Sequence, residues 1–239
     1  YTLSLHDALP IYPEEGLLGA FSKDSRGSTK VKVNDSKGSA ALARAIPIGL
    51  LFAGDSKVAF DEAVKAAALS HSNPVAYYAA GGLAAIIACL AYGLTLPKAL
   101  ERAETLLGKM HKTDPILSLL GAAEEQANNH PAGKTGTWDH IDSISSLGSG
   151  CNAEEALAIA VYCALAVDDP LDALIVSANH SGKSSTTAVV TGALEGVRFG
   201  TGFLPEYWAD ILEGNEVVSF MADKLFYVYN KYHPQKIAK

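Results

Sequence analysis

The sequence predicts an all-α protein built as one domain, and three features of the chain lead to this fold class. Of the 239 residues, 49% are apolar, which excludes a disordered polyelectrolyte. After a Gly-, Ser- and Lys-rich opening, apolar residues recur at intervals of three and four in nearly every segment, as they do on one face of a helix. Neither an internal repeat nor a shift in composition marks a linker between domains.

Nine helices follow from this periodicity, and prolines mark the start of several of them. A proline suits the first turn of a helix because the backbone N–H that it lacks would have no partner there. Such prolines are Pro74, Pro97, Pro115, Pro170 and Pro205. The predicted helices span residues 56–69, 74–92, 97–111, 115–128, 153–167, 170–178, 185–199, 205–212 and 216–229.

Residues 128–150 form the least regular stretch between two predicted helices. Pro131, Gly133 and Gly136 lie close together in it, so we predict a surface loop there. The histidines predicted to face solvent or to lie in loops are His6, His111, His130, His140 and His233.

The stretch of residues 75–97 contains no charged residue and no histidine, and it is long enough to cross a hydrocarbon core of ~30 Å. It is rich in alanine, however, and Gly81 and Gly82 lie in its middle. Alanine contributes little to insertion, and no cluster of Lys and Arg flanks one end to set an orientation. We therefore predict a helix buried in the protein core and no membrane partner.

The charge balance limits which molecules the protein can bind, and the number of cysteines indicates its cellular compartment. The chain has 19 Lys and Arg against 26 Asp and Glu, a formal net charge of −7, which argues against a protein that holds nucleic acid mainly through its phosphates. Three cysteines, Cys89, Cys151 and Cys163, are too few and too oddly numbered for a disulfide framework. A reducing, cytoplasmic location is the expectation.

The N-terminal residues carry no recognisable secretory signal, since they lack a basic region and a small-residue cleavage site. Residues 1–11 resemble translated sequencing-adapter sequence, so we expect them to be an artefact and the chain to lack its true start. The predicted organisation is an irregular segment over residues 1–33, the all-α domain over residues 34–229 and a tail over residues 230–239.

The segment of residues 177–184, SANHSGKS, nearly spells a P-loop, in which glycines let backbone N–H groups wrap phosphates and Lys pairs with their oxygens. Ser177 stands where the opening glycine belongs, and no apolar strand ending in Asp follows to supply the second metal ligand. The flanking chain has a helical pattern. A P-loop-like NTP binder is therefore kept as an alternative function only.

Five short segments follow one another in series. They are residues 34–44 (NDSKGSAALAR), 46–50 (IPIGL), 69–74 (LSHSNP), 147–160 (LGSGCNAEEALAIA) and 179–192 (NHSGKSSTTAVVTG). This series resembles the ADP-ribosylglycohydrolase family, including members similar to the dinitrogenase reductase-activating hydrolases. The resemblance implies one all-α domain of orthogonally packed helices that binds two Mg²⁺ ions beside ADP-ribose. It also implies hydrolysis of the bond between ADP-ribose and a modified protein side chain.

The resemblance assigns five substrate-binding positions. Ser36, Gly38 and Ser39 match the family's phosphate-binding loop, where small residues let backbone N–H groups approach a pyrophosphate. Arg44 matches the arginine that closes this motif, and it either contacts the ligand or braces the loop as a buried, paired arginine. His71 matches the histidine of the family's Thr-His-Gly segment, and it either lines the ADP-ribose cleft or is a satisfied core or helix-cap histidine.

The metal positions depart from the family pattern. The family segment reads Gly-Asp-x-Asp-Ser/Thr and ligates Mg²⁺, but Lys183, Ser185 and Thr186 occupy these positions here. Magnesium prefers carboxylate oxygens, and an ammonium ~4 Å from it would repel it by on the order of 8 kcal/mol at an effective dielectric of ~20. The family's other metal segment, Thr-Asp-Asp with a Glu upstream of it, has no counterpart, since the single Asp-Asp pair is Asp168-Asp169.

Binding of Mg²⁺ is therefore doubtful, and we expect the family's reaction to be impaired or lost, because no Lewis acid and no activated water are supplied. A catalytically silent binder of ADP-ribose, of an ADP-ribosylated protein or of a nucleotide is the alternative. Two explanations of the substituted metal positions stay open. The chain is a truncated, sequence-degraded fragment with no selected activity, or Lys183 replaces the lost cation and pairs with an anionic phosphate.

Overall fold

The computed structural model describes residues 19–20, 22–23, 26–130 and 137–232, and within these ranges it contains helices and no strand, as the sequence predicts. The named helices are α1 (Ala40–Ala43), α2 (Ala45–Leu51), α3 (Ser56–Ala68), α4 (Pro74–Ala91), α5 (Leu96–Leu107), α6 (Asp114–Asn129), α7 (Thr137–Leu147), α8 (Ala153–Ala166), α9 (Pro170–Ala178), α10 (Ser184–Phe199), α11 (Glu206–Ile211) and α12 (Asn215–Tyr232).

Helix α4 lies at the centre of the fold. It begins where Asn73 accepts a hydrogen bond from the backbone N–H of Val75, and Pro74 occupies its first turn. By length and composition α4 could cross a membrane, but 83% of its 18-residue window is buried among the other helices. Helices α2, α3 and α5 pack around it, which supports the interpretation as a core helix.

Two glycines set how closely the helices approach α4. A Cβ atom on Gly49 of α2 would lie 2.7 Å from the Cβ of Ile87, and one on Gly81 of α4 would lie 2.7 Å from Cγ2 of Val64 in α3. Both distances are too short for real carbon atoms, so a larger residue at either position would push the helices apart.

Helix α8 forms the second centre of the core. Its residues are buried almost without a break from Ala153 to Ala164, and it packs against α6, α9, α10 and α4. The two central helices therefore share one core, and the N-terminal end of α8 carries the loops described below.

The predicted surface loop over residues 128–150 is wrong for its second half, where α7 lies. His140, Ile144 and Leu147 follow one another at helical spacings of four and three, and all three are buried. The glycines and the proline upstream hid this pattern, and they fall in residues 131–136, outside the described part of the chain. Helices α1 and α2 were not predicted either.

His140 is wholly buried, so the prediction that it faces solvent or lies in a loop is wrong. Its Nδ1 atom lies 2.9 Å from the hydroxyl of Tyr162 in α8, and its ring stacks on that of His130 with the centroids 4.1 Å apart. A polar ring is tolerated there because its partners are also polar. His111 is exposed, as predicted, while His6 and His233 lie outside the described residues.

A carboxyl group is buried between α8 and α10. Glu195 is 1% exposed, and its Oε1 accepts a hydrogen bond from Nη1 of Arg198 at 2.7 Å. Its Oε2 is buried and has no hydrogen-bond partner among the described residues. Burial outweighs the attraction of Arg198 and raises the pKa of Glu195 to about 7. The carboxylate form of this residue therefore costs stability.

We expect the Glu195 carboxyl to make the protein less stable as pH rises. Its folded pKa of about 7 lies above the ordinary value of 4.5, so the folded state holds a proton that the unfolded state releases between these values. The free energy of unfolding then falls by up to about 3 kcal/mol across this interval. Glu195→Gln should remove the fall, and Glu206→Gln, at an exposed position, should leave it in place. Chemical denaturation at several pH values measures the slopes, and equal slopes for wild type and Glu195→Gln would contradict this role.

Candidate functional site

The first segment of the site is the loop over residues 34–39, which Asn34 organises. Its side-chain oxygen accepts hydrogen bonds from the backbone N–H groups of Ser36 at 3.2 Å and Ser72 at 3.1 Å, and its amide donates to the carbonyl of Ser70 at 2.7 Å. The hydroxyl of Ser36 accepts from the backbone N–H of Gly38 at 3.1 Å. These bonds fold the loop tightly against the turn that precedes α4.

The second segment is the turn over residues 148–152, which pairs with the first segment. Gly38 and Asn152 form an isolated antiparallel bridge. The backbone N–H of Ser39 donates to the carbonyl of Cys151 at 3.0 Å, and that of Ala153 donates to the carbonyl of Lys37 at 2.8 Å. This pairing fixes residues 37–39 beside the N-terminal end of α8.

Glu155, in the first turn of α8, holds the second segment in shape. Its carboxylate accepts hydrogen bonds from the backbone N–H of Ser149 at 3.1 Å, the Ser149 hydroxyl at 3.0 Å and the Asn152 amide at 2.9 Å. Burial raises the pKa of Glu155, but these hydrogen bonds more than offset the effect and hold it below its ordinary value. Gly148 and Gly150 supply the positive φ angles, 120° and 74°, that the turn requires.

The third segment, residues 180–187, lies against the second. The backbone N–H of Lys183 donates to the carbonyl of Ser149 at 2.7 Å. A Cβ atom on Gly182 would collide with that same carbonyl oxygen, so only glycine fits. The segments 34–39 and 180–187 therefore both contact residues 148–152, at the N-terminal end of α8.

His180 and Thr187 form a short relay, meaning a chain of hydrogen bonds, within the third segment. The backbone N–H of Gly182 donates to Nδ1 of His180, so the ring proton lies on Nε2, which is 2.8 Å from the Thr187 hydroxyl. That hydroxyl in turn donates to the carbonyl of Ser177 at 2.8 Å. Burial lowers the pKa of His180, which favours the neutral ring that this relay requires.

Arg44 braces the turn that carries His71. Nη2 of Arg44 lies 2.5 Å from Oγ of Ser70 and 3.3 Å from Nδ1 of His71, and the Ser70 hydroxyl lies 2.9 Å from the same ring nitrogen. His71 is wholly buried. A guanidinium carries only donors, so this contact requires Nδ1 to accept and places the ring proton on Nε2. The geometry matches a bracing arginine and a core histidine more closely than an open cleft.

Two buried polar groups beside the paired loops lack partners. The Ser39 hydroxyl and Oε2 of Glu154 are both buried, and neither has a hydrogen bond within the described residues. Burial raises the pKa of Glu154, although Lys37 acts in the opposite direction. Sequence reasoning missed the roles of Asn34, Glu154 and Glu155. The Asn-x-Ser spacing, typical of a turn in which Asn binds its own backbone, was an available signal for Asn34.

The three positions that the sequence resemblance matches to the family's magnesium ligands lie at the N-terminal end of α10. Lys183 is the residue that precedes the first turn, Ser185 is exposed and Thr186 is half-buried. Their side chains offer one ammonium and two neutral hydroxyls. In the described part of the chain, no group of three or more His, Cys, Asp or Glu residues could hold a metal ion. These residues do not fit Mg²⁺, which requires hard anionic oxygens.

Comparison with known proteins agrees with the resemblance drawn from the five segments. The ADP-ribosylglycohydrolase family matches residues 6–235. The chain is 31% identical over 99 residues to the human protein named ADP-ribosylhydrolase ARH3, covering 37% of this chain and 27% of that protein. It is 29% identical over 150 residues to the Bos taurus protein of the same name, covering 54% and 41% respectively. An uncharacterized protein of Archaeoglobus fulgidus is 25% identical over 187 residues, covering 78% of this chain. These matches span between 27% and 57% of the relatives' lengths.

Replacing Gly182 should disrupt the junction of the second and third segments. Gly182→Ala forces the loop away from the Ser149 carbonyl and breaks the hydrogen bond from Lys183, so we expect a loss of about 1–3 kcal/mol in the free energy of unfolding. Gly202→Ala is the control, because nothing lies within 4 Å of a Cβ atom at that position. Thermal and denaturant unfolding measure both variants. Equal stability of the two would show that the loops do not meet as described.

The Arg44 contact predicts the tautomer of His71. We expect long-range ¹H–¹⁵N spectra of the neutral ring to show the proton on Nε2 and an unprotonated Nδ1. Arg44→Met should weaken this preference, whereas Arg44→Lys, which keeps a donor, should retain more of it. A neutral ring with its proton on Nδ1 in the wild-type protein is incompatible with the geometry.

Proposed function

Because this chain belongs to the ADP-ribosylglycohydrolase family, we propose that it recognises ADP-ribose, free or attached to a protein, and that the family's hydrolysis is impaired in it. One observation carries this proposal. The end of α10 that meets the loop system has Lys183, Ser185 and Thr186 at the positions of the family's metal ligands.

Recognition of ADP-ribose is supported by the way the first segment is held. The pairing with residues 151–153 keeps the loop in place without a ligand. The backbone N–H groups of Ser36, Gly38 and Ser39 already donate within the protein, so the exposed side chain of Lys37, and not these donors, is what the loop offers to a pyrophosphate. A loop that is already ordered loses little conformational entropy when it binds a pyrophosphate. Lys37 adds a positive charge within this loop.

The electrostatics at the start of α10 favour an anion over a cation. The N-terminal end of a 16-residue helix carries a partial positive charge, and Lys183 adds a full one directly before its first turn. A metal ion would be repelled by both, whereas a phosphate would be attracted by both. Lys183 therefore replaces the charge of the lost cation instead of leaving the phosphate uncompensated.

Impaired hydrolysis follows from the same donor set. In the family the metal ions supply Lewis-acid chemistry at the glycosidic bond, and hydroxyls with an ammonium cannot hold them. Glu155 offers no replacement, because Ser149 and Asn152 occupy both of its oxygens. The remaining buried carboxyl of the loop system is Glu154, and burial raises its pKa, which disfavours the charged form that a metal ligand needs.

The P-loop-like alternative receives less support. A P-loop follows a strand and opens a helix, whereas here the SANHSGKS segment runs from the last residues of helix α9 to the first residue of helix α10. Its Lys183 also donates its backbone N–H to Ser149, so that group is already engaged. Binding of ATP together with Mg²⁺, stronger than binding of ADP-ribose, would favour this alternative over ours.

Lys183→Met tests the proposed role of the ammonium. We expect the wild-type chain to bind ADP-ribose in EDTA, and the variant to bind it roughly tenfold to a hundredfold more weakly, as the loss of a charge-assisted hydrogen bond predicts. Isothermal titration calorimetry measures both affinities. Lys98→Met, an exposed lysine on α5, is the matched control and should bind as wild type does.

Repeating the titration in Mg²⁺ distinguishes binding of ADP-ribose without a metal ion from the family's Mg²⁺-dependent hydrolysis. We expect the same affinity with and without the ion and no release of ADP-ribose from a modified protein. Unchanged affinity in Lys183→Met would reject the role of the lysine, and Mg²⁺-dependent release of ADP-ribose would reject the impaired reaction.

A further inference from the structure

Helix α12 is the most exposed long helix of the described part of the chain. None of its 18 residues is buried. Large aromatic side chains are among the exposed ones: Phe220 is 57% exposed, and Phe226 and Tyr227 are each 66% exposed. Single exposed apolar residues are ordinary, but Phe220 and Tyr227 lie two turns apart on the same side of the helix, and apolar residues grouped in this way mark an interaction site. Helix α12 therefore presents a surface that its own fold leaves open.

The helix has one side towards the protein and one side away from it. Leu225, Val228 and Tyr229 are half-buried and lie on one side of the C-terminal half of the helix, and α12 contacts α2. Helical spacing places Phe220 and Tyr227, seven residues apart, on a face directed away from these three. We call the second side the free face.

The charged residues of the free face lie outside and between Phe220 and Tyr227, in a symmetrical order. Glu216 and Asp223 lie towards the N-terminal half, and Lys224 and Lys231 lie towards the C-terminal half. The ammonium of Lys224 lies 5.1 Å from the centroid of the Phe220 ring, which places it on the same face. A two-fold rotation about the point between residues 223 and 224 brings Glu216 to the position of Lys231 and Asp223 to the position of Lys224.

We propose that α12 pairs with α12 of a second copy of this chain, antiparallel and about a two-fold axis that passes between Asp223 and Lys224. In this register Phe220 of each copy lies opposite Tyr227 of the other, and Glu216 lies at the height of Lys231. One patch then serves both copies, which is the commonest form of a closed dimer.

The charge order selects the antiparallel pairing over the parallel one. A parallel pair in register would place each Glu216 at the height of the other Glu216, and each Lys231 at the height of the other Lys231. Like charges at these positions oppose association, whereas opposite charges steer it and fix its register. Such exposed pairs contribute little energy, so the aromatic residues supply most of the affinity.

The area of the free face sets the expected strength. Two exposed aromatic side chains per copy, with the aliphatic stems of the lysines, can bury roughly 800 Å² in total, which is below the size of most specific interfaces. We therefore expect a weak, concentration-dependent dimer with a dissociation constant on the order of micromolar to tens of micromolar. This proposal does not depend on the proposed function, because none of the loops 34–39, 148–152 and 180–187 belongs to α12.

Sedimentation velocity of the full chain between about 1 and about 100 µM tests the dimer. We expect the wild-type chain to shift from monomer to dimer over this range, and the variant carrying Phe220→Glu and Tyr227→Glu to stay monomeric throughout. Both positions are exposed, so circular dichroism should show an unchanged fold. Tyr92→Glu, an exposed tyrosine that is 60% accessible at the end of α4, is the matched control and should dimerise like wild type.

A charge exchange tests the antiparallel register itself. Glu216→Lys alone and Lys231→Glu alone should each weaken the dimer by about twofold to tenfold, and the two together should restore it. A wild-type chain that stays monomeric, a dimer insensitive to the Phe220 and Tyr227 changes, or a charge exchange without restoration would each overturn the proposal. So would a monomer that binds phosphatidylcholine vesicles through these aromatic residues, since the free face would then belong to a lipid surface.

Discussion

The loop system depends on the carbonyl of Ser149, which accepts the backbone N–H of Lys183 and allows no side chain at Gly182. The turn that carries this carbonyl also pairs through Cys151 and Asn152 with residues 37–39. One short turn thus joins two segments that lie more than 140 residues apart in the chain. Glu155 holds the turn in shape, and its lowered pKa reflects the hydrogen bonds that it receives in doing so.

The charge at this junction is the basis of our proposal that this member of the family has lost its metal chemistry. The loops, their glycines and their backbone contacts remain, because they depend on sterics and backbone hydrogen bonds. The ligand set depends on two carboxylates, and replacing one with a lysine reverses the sign of the local field. The partial positive charge of the α10 terminus, which carboxylates would offset, now adds to the ammonium of Lys183. On our proposal, the scaffold keeps its loops and loses affinity for a cation.

The sequence predicted most of the helices, because local signals fix them. Pro74 and Asn73 mark the start of α4, and a run of small apolar residues continues it to Ala91. Helix α7 was missed because its pattern rests on three buried residues preceded by glycines. The pairing of residues 37–39 with 151–153 could not be derived from spacing, since it depends on how α8 and α4 pack. The five-segment resemblance indicated that these segments belong together. The choice between the two roles of Arg44 needed its contacts with Ser70 and His71, which only the structure gives.

Composition alone does not decide where an apolar helix belongs, and α4 and α12 illustrate this in opposite directions. Helix α4 carries no charge and is long enough for a membrane, yet neighbouring helices cover it. Helix α12 carries two acids and two lysines, which on composition alone would mark it as an ordinary surface helix. Its aromatic residues are nevertheless left exposed between those charges. The position of the charges relative to the aromatic pair, and not their number, is what gives this face its two-fold order.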